Sequence, residues 1–248
     1  MIYFIGAGPG AIDLITVRGA ELLRRASLVV YAGSLVNLEL LNYCPENAQV
    51  MNSASMTLEQ VIAALAAHAG DEVVVRLHTG DPSLYGAIRE QMDELDKLGL
   101  PYDIVPGVSS FSAAAAALKA EYTPAGVSQT VIISRMAGRT PVPEKENLRS
   151  LAAHGATMVL FLSVGMLRKV CDELIMGGYA PETPAAVVYK ASWPDERIIR
   201  GTVATLPELA GDVHKTALIV IGSFMGDSAM RSMLYDPAFS HEFREASK

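Results

Sequence analysis

Several residue types that would mark a functional class are scarce in this 248-residue sequence. Its two cysteines, Cys44 and Cys171, show no CxxC spacing, so there is neither a zinc motif nor a disulfide framework, and a reducing cytoplasm is favoured. The five histidines lack HExxH or other ligand spacing, which argues against a metal site. No uncharged apolar run reaches the roughly 20 residues of a membrane-spanning helix. Without a basic leader either, we expect neither a membrane protein nor an exported one.

Positive charge is also in short supply. Lys and Arg number 20 against 27 Asp and Glu, and the net charge of −7 disfavours a nucleic-acid binder, because such proteins neutralise phosphates with cations. A net charge is an average, however, so it does not exclude a local cluster of cations for a small anionic ligand. Apolar residues are abundant at 50%, which predicts a packed globular protein, and the length allows two domains.

The first half of the sequence alternates β-branched runs with segments of helical periodicity. Five strands are predicted, at 2–5, 28–31, 49–51, 72–77 and 102–105. Each is followed by a predicted helix, at 16–26, 35–43, 58–69, 83–98 and 109–120. This alternation predicts a parallel sheet covered by helices, with ligands beyond the carboxyl ends of its strands.

The second half has a different pattern. Pro124 and Gly126 interrupt the alternation at 121–128, which predicts domains of 1–122 and 123–248. Further strands are predicted at 129–134, 157–162, 185–189, 197–203 and 216–221, with a helix at 166–176. Only seven residues separate the predicted strands 185–189 and 197–203, which is too few for the crossover that a parallel pair needs. The predicted fold class is therefore α/β, with a parallel-sheet N-terminal domain and a mixed-sheet C-terminal domain.

Glycine-bearing turns follow the first, fourth and fifth predicted strands. Residues 6–11, GAGPGA, formally match the dinucleotide fingerprint G-x-G-x-x-G/A, although a plain chain-reversing turn is the alternative. Pro9 removes an amide donor from that turn, and the second strand ends without the carboxylate that would bind a ribose. These two departures argue against an NAD site, whereas three such turns at one sheet edge favour a small-molecule crevice over three unrelated turns.

The turns after the fourth and fifth strands carry polar residues. Asp81 before Pro82 suits either the cap of a helix starting at residue 83 or contact with a ligand, and Gly80 lets a ligand approach the backbone. Ser109 has the same two interpretations at the next helix. His78 is the one histidine in a candidate ligand loop, where it is either a structural hydrogen-bond donor or a base.

Cations cluster in two loops of the second half. Arg135 and Arg139 lie in SRMAGRTPVPE, and Lys190 lies with Trp193, the sole tryptophan, in YKASWPDER. Arginine binds carboxylates as a planar fork, and Trp193 offers a stacking face for a flat ring. The alternative is that both are ordinary solvated loops.

Five segments, taken together and in order, resemble the tetrapyrrole (corrin/porphyrin) methylase family of methyltransferases that use S-adenosyl-L-methionine (SAM). They are GAGPGAIDLITV, RLHTGDPSLYGA, IVPGVSS, ISRMAGRTPVPE and VVYKASWPDERIIRGTV. The last two are the most specific, and they look like the branch that methylates precorrin-4 or cobalt-precorrin-4 at C-11. One departure is Ala11, which stands where the family commonly has Asp, with Asp13 two residues on.

The resemblance implies a class III methyltransferase architecture, in which SAM lies in the cleft between two α/β domains, usually of a homodimer. It implies C-methylation of precorrin-4, a polycarboxylate tetrapyrrole, at C-11 to give precorrin-5 in cobalamin biosynthesis, with release of S-adenosyl-L-homocysteine. Alternatives are cobalt-precorrin-4 or another ring position and, more remotely, an NAD-dependent oxidoreductase or a non-catalytic tetrapyrrole carrier.

The resemblance also implies site residues. The cofactor would contact Pro9, Thr79, Gly80, Asp81, Leu84, Ser109, Ser110, Leu162, Ser163, Ala191, Ala217 and Leu218. The substrate would meet Gly8, Pro9, Gly10 and Trp193, and we hypothesise that its carboxylates pair with Arg18, Arg135, Arg139 and Lys190. No protein base is demanded, because the nucleophile is a ring carbon of the substrate. The candidates for a catalytic role are His78 and Asp81.

Overall fold

The computed structural model describes residues 1–70, 72–226, 230 and 232–247, apart from the side chain of Ser34. The chain forms two compact units. One holds residues 1–113 with 190–196, and the other holds residues 114–189 with 197–248. Each unit is built on its own five-stranded sheet with helices, which confirms the predicted α/β class. Within the described ranges, no helix is both long and apolar enough to cross a membrane.

The sheet of the first unit is parallel, as predicted. Its strands are β1 (Ile2–Gly6), β2 (Leu28–Tyr31), β3 (Gln49–Asn52), β4 (Val74–His78) and β5 (Tyr102–Val105). They lie in the order β3-β2-β4-β1-β5, with Gly6 of β1 opposite His78 of β4. Because all five strands run the same way, every carboxyl end lies at one edge of the sheet.

Both faces of this sheet are buried at its three central strands, β2, β4 and β1. The helices of the unit are α1 (Val17–Leu23), α2 (Leu58–Ala67) and α3 (Ile88–Lys97), and α4 (Ser110–Leu118) begins in it. Leu23 and Val75 belong to the core on one face, and Phe4, Leu65 and Leu95 to the core on the other. Continuous burial on two faces explains why these central strands are mostly apolar rather than alternating.

The second unit has the mixed sheet that the short connection predicts. Its strands are β6 (Val131–Arg135), β7 (Thr157–Phe161), β8 (Pro184–Tyr189), β9 (Arg197–Thr202) and β10 (Ala217–Ile221). The order is β6-β7-β10-β8-β9, with β6 parallel to β7 and the other pairs antiparallel. Helices α5 (Leu148–Ala152), α6 (Leu167–Met176) and α7 (Leu206–Leu209) contribute to one core with this sheet.

Two predicted helices differ from those observed. The helix predicted at 83–98 begins only at Ile88, because Tyr85 and Ala87 have the left-handed φ values of 56° and 50°. The helix predicted at 35–43 is two short 3-10 helices, Gly33–Leu35 and Leu38–Tyr43. Asn37 separates them, since its side-chain oxygen accepts the N–H of Glu39 and starts a new turn.

Candidate active site

The turns that follow β1, β4 and β5 meet at the carboxyl edge of the first sheet. The N–H of Gly80 donates to the carbonyl of Gly8 at 2.8 Å, and the N–H of Gly8 donates to the carbonyl of Gly80 at 3.2 Å. A Cβ on Gly107 would lie 2.2 Å from the carbonyl oxygen of Gly80 and 2.7 Å from the Cα of Gly6. The predicted convergence of the three turns is confirmed, and backbone fills the space that side chains would need.

Asp81 ties two of these turns together through its carboxylate. Oδ1 accepts the N–H of Ser83 at 2.8 Å and also its hydroxyl, while Oδ2 accepts the N–H of Gly107 at 2.8 Å. Burial raises the pKa of Asp81, but the hydrogen bonds from Ser83 and Gly107 outweigh it and hold that pKa below its usual value. The expectation that Asp81 caps a helix starting at residue 83 is wrong, because α3 begins at Ile88 and Asp81 caps the intervening turn.

The turn after β4 lies against the beginning of α4. Gly80 is left-handed at φ 62°, and its Cβ position is 3.6 Å from the N atom of Ser110 and 3.7 Å from the Cα of Ser109. Ser109 is buried, and its carbonyl accepts the N–H groups of Ser112 and Ala113 at the helix start. Four of the predicted cofactor residues, Gly80, Asp81, Ser109 and Ser110, are thus brought together, with Thr79 and Leu84 in the same turn.

His78 is buried in the apolar face of the sheet. It is 3% exposed, and its Nε2 has no hydrogen-bond partner in the described part of the chain. Burial, and then the charge of Arg76, lower the pKa of His78 to about 3. Arg76 itself donates to Gln91 Oε1 at 2.9 Å and to the carbonyl of Val30 at 3.1 Å. An efficient general base has a pKa near the working pH, so neutral, enclosed His78 is unsuited to that role.

Trp193 lies against the first glycine turn. Its indole N–H donates to the carbonyl of Pro9 at 2.9 Å, and the neighbouring Ser192 Oγ accepts the N–H of Ala11 at 3.0 Å. The ring covers Gly10, since a Cβ there would lie 2.1 Å from two of its atoms. The predicted stacking residue is thus in contact with the predicted substrate loop.

Two of the predicted carboxylate-binding cations carry ion pairs. Arg18 lies 2.5 Å from the carboxylate of Asp103, and Lys190 lies 2.6 Å from that of Asp195. Lys190 also has a left-handed φ of 48°, and the buried Ala191 follows it. Strained backbone of this kind concentrates at functional sites.

The two arginines of the other cationic loop have different environments. Arg135 donates to the carbonyls of Thr140 and Pro141, at 3.2 and 2.5 Å, and so braces the loop. Arg139 is exposed at the loop's tip and makes no ion pair or hydrogen bond with any described residue. Of the four predicted cations, Arg139 is therefore the one whose guanidinium is uncommitted within residues 1–70, 72–226, 230 and 232–247.

The remaining predicted cofactor residues lie in the second unit. Leu162 follows β7 with a left-handed φ of 53°, and it is 68% exposed, an unusual combination for a large apolar residue. Ser163 is fully buried, and its hydroxyl accepts the N–H of Met136 at 2.8 Å, so that group serves the fold. Ala217 and Leu218 begin β10.

Sequence reasoning missed two residues that hold the first glycine turn. Ser192 bonds Ala11, 181 positions away, and Asn37 Nδ2 donates to the carbonyl of Gly10, 27 positions away, at 2.9 Å. Neither bond has a local signature in the sequence.

Elsewhere in the first unit, residues between 51 and 64 line an open groove of about 650 Å³ whose lining has no charged side chain. No three His, Cys, Asp or Glu residues of the described ranges are grouped to hold a metal ion.

Solved structures share this architecture of two α/β units. A cobalt precorrin-4 methyltransferase, titled a cobalamin biosynthetic enzyme, superposes with a TM-score of 0.87 at 47% identity, covering 90% of this chain and 95% of that one. A uroporphyrin-III C-methyltransferase from Thermus thermophilus, complexed with S-adenosylhomocysteine, gives a TM-score of 0.76 at 27% identity, covering 91% and 93%. The fold is that of the class III methyltransferases.

The family follows from the sequence comparisons. A cobalt-precorrin-4 C(11)-methyltransferase of Methanocaldococcus jannaschii is 52% identical, covering 100% of this chain and 97% of that protein. A precorrin-4 C(11)-methyltransferase of Mycobacterium tuberculosis is 49% identical, covering 96% of each. The profile of the tetrapyrrole (corrin/porphyrin) methylases matches residues 1–207. The chain belongs to the tetrapyrrole methylase family, as its motifs predict, and it is a methyltransferase.

Gly107→Ala tests whether the glycine contact holds the site edge together. We expect it to lower the free energy of unfolding by more than about 2 kcal/mol, because the new Cβ would meet backbone atoms that no side-chain rotation can move. Gly70→Ala is the matched control, since no atom lies within 4 Å of its Cβ position, and it should change stability by less than about 0.5 kcal/mol. Urea unfolding at pH 7 measures both variants. Equal free energies of unfolding for Gly107→Ala and Gly70→Ala would contradict the importance of the glycine contact.

His78→Leu tests the buried neutral imidazole. The pKa of His78 is about 3 in the folded state and about 6.5 in the unfolded chain, so wild-type stability is full above pH 6.5 and declines as the pH falls toward 3. The decline is about 1.4 kcal/mol per pH unit. Between pH 6.5 and 4.5 we expect the variant to lose about 2–3 kcal/mol less than wild type in urea unfolding. His154→Leu, at an exposed histidine, is the control. If the stability of His78→Leu fell with pH as steeply as that of wild type, His78 would not be the buried neutral group described.

Proposed function

We propose that this methyltransferase transfers a methyl group from SAM to C-11 of precorrin-4, giving precorrin-5 in cobalamin biosynthesis. Similarity over 96–100% of the chain to relatives named for C(11)-methylation of precorrin-4 or of its cobalt form carries the proposal. The relative from Methanocaldococcus jannaschii is named for the cobalt form, which makes cobalt-precorrin-4 the second candidate substrate.

The turns of the first unit fit a cofactor of this shape. Gly80 has no side chain to stand between its backbone and a ligand, the left-handed residues Tyr85 and Ala87 lie in the same turn, and Ser109 lies next to Gly80. We assign the adenosyl part of SAM to residues 79–84 and 109–110, with Pro9 of the first glycine turn. By resemblance, the set further includes Leu162, Ser163, Ala191, Ala217 and Leu218. When bound, SAM supplies an electrophilic methyl group and leaves S-adenosyl-L-homocysteine after transfer.

The chain's contribution to the reaction is orientation, and the carboxylate of Asp81 is already engaged by the protein. Both carboxylate oxygens of Asp81 accept protein donors, so the turn presents backbone carbonyls and apolar groups to a sulfonium whose charge is dispersed during transfer. Holding the ring carbon about 3–3.5 Å from the methyl group supplies several kcal/mol of the barrier. His78 stays neutral and enclosed, and the transfer step demands no base from the chain.

Arg139 is the cation best suited to a substrate carboxylate. It is exposed, uncommitted among the described residues, and carried on a loop that Arg135 braces. A planar guanidinium binds a carboxylate through two parallel hydrogen bonds. We assign Arg135, Lys190 and Arg18 a supporting contribution to the positive potential around the acetate and propionate arms.

We further infer that the protein works as a homodimer in the cytoplasm. The family resemblance supports the dimer, and the free thiols of Cys44 and Cys171 fit a reducing compartment. Light scattering at micromolar concentration measures the mass in solution, and a monomer would contradict the dimer.

Isotope-labelled SAM tests the reaction. Purified protein is incubated with [methyl-13C]SAM and either precorrin-4 or cobalt-precorrin-4, and the product is analysed by mass spectrometry and 13C NMR. We expect one labelled methyl group on C-11 and one S-adenosylhomocysteine per ring. A label on another ring carbon would refute the position, while binding without S-adenosylhomocysteine release would indicate a carrier. Quenching of NADH fluorescence would instead support an oxidoreductase.

Arg139→Ala should weaken binding of the tetrapyrrole and spare the cofactor. Loss of a hydrogen bond to a charged group is worth about 1.5–3 kcal/mol, so we expect the Kd of the tetrapyrrole to rise by about 10–100-fold. The Kd of S-adenosylhomocysteine should stay within about twofold by calorimetry. Arg89→Ala, on the exposed face of α3, is the control. Parallel loss of both affinities would overturn the assignment.

A further inference from the structure

The backbone of the first glycine turn, residues 8–11, is held almost entirely by the protein. Gly8 uses its N–H and its carbonyl in the bridge to Gly80. The other bonded groups are the carbonyl of Pro9 with Trp193 Nε1, the carbonyl of Gly10 with Asn37 Nδ2, the N–H of Ala11 with Ser192 Oγ, and the carbonyl of Ala11 with the N–H of Leu14. This pairing of six of the seven backbone N–H and carbonyl groups fixes the position of a turn that contains two glycines.

One amide of this turn is left over. Pro9 has no N–H, and the N–H of Gly10 makes no hydrogen bond with any part of the chain that the structure describes. Gly10 is nevertheless buried. A buried amide without a partner costs free energy comparable to a lost hydrogen bond, so this donor is suited to an oxygen atom that comes from a ligand.

The glycine at position 10 is explained by Trp193 rather than by backbone conformation. Gly8 requires its left-handed φ of 79°, whereas Gly10 is not among the residues of positive φ. A Cβ on Gly10 would lie 2.1 Å from both Cδ1 and Nε1 of Trp193 and 2.8 Å from Cγ. The ring thus occupies the place of a side chain at position 10.

We propose that Trp193 is a positioning residue for the tetrapyrrole: it locks the Pro9–Gly10 peptide so that the Gly10 N–H is presented to a substrate oxygen. The indole donates to the carbonyl on one side of that peptide and packs on the Cα beyond it. The ammonium of Lys190, 5.4 Å from the ring centroid, stabilises this ring position. Trp193 therefore acts through the glycine turn instead of stacking on the flat ring. The identity of the ligand rests on the proposed function, whereas the lock itself does not.

Trp193 is the sole tryptophan, so its fluorescence reports the lock in the free protein. Gly10→Ala should push the ring off the turn and shift the emission maximum to longer wavelength, because the indole loses the carbonyl of Pro9 and gains water. Gly70→Ala, the control with open space around its Cβ position, should leave emission unchanged. Unchanged emission in Gly10→Ala would overturn the lock, whether or not the protein methylates precorrin-4.

Steady-state kinetics test the positioning role. Trp193→Phe keeps a flat apolar ring but loses the indole N–H, so we expect KM for the tetrapyrrole to rise about 3–10-fold, with kcat and KM for SAM within about twofold. Gly10→Ala should reduce kcat/KM strongly in wild type and little further in the Trp193→Ala background. The role would be refuted if the losses of kcat/KM in Gly10→Ala and Trp193→Ala multiplied in the double variant. An equal rise in the KM for the tetrapyrrole and the KM for SAM would also refute it. Failure of the wild type to release S-adenosylhomocysteine would refute the proposed function and leave the fluorescence result intact.

Discussion

Contact of backbone with backbone among Gly6, Gly80 and Gly107 is the constraint on which the rest of the site depends. Parallel strands bring three chain turns to one edge of the sheet, and the space at that edge admits no Cβ on Gly6 or Gly107. The carboxylate of Asp81 then fastens the β4 turn to the β5 turn. Turns held in this way keep their main-chain atoms at fixed positions, which is what the proposed orientation-based site requires.

The hydrogen bonds between Gly8 and Gly80, together with Pro9, explain why a glycine pattern typical of dinucleotide binding does not provide such a site here. A pyrophosphate is held by free amides at a helix N-terminus. In this chain the N–H of Gly8 is consumed by Gly80, and Pro9 has no N–H. Among the amides of residues 8–11, that of Gly10 is the one without a partner in the described part of the chain. The turn therefore does not offer the several free amides of an anion-binding site.

The distribution of charge fits the proposed anionic substrate and the proposed cationic methyl donor. Arg76 is buried with amide and carbonyl partners, and burial lowers its pKa to about 10, so it remains a cation at neutral pH. Together with burial, that charge keeps His78 neutral, while Asp81 is turned inward to protein donors. Arg139, in contrast, is exposed on a braced loop. A protein of net charge −7 thus presents an exposed cation, as the proposed polycarboxylate substrate requires.

The sequence predicts those features that depend on local pattern. The apolar runs identify the strands of both sheets, and parallel topology alone brings the glycine turns together. The start of α3 could not be predicted in this way, because Asp81 and Pro82 are a true turn signal, while the left-handed Tyr85 and Ala87 that delay the helix carry no compositional mark. Trp193 was predicted near the substrate, but its partner Pro9 lies 184 positions away, and no periodicity links them.

A crystal structure of the protein with S-adenosyl-L-homocysteine bound tests the assigned cofactor site most directly. The glycine contact predicts that the adenosyl group lies against residues 79–84 and 109–110, within van der Waals distance of the Gly80 backbone. Density for the nucleoside in another place, such as the open groove between residues 51 and 64, would contradict the account.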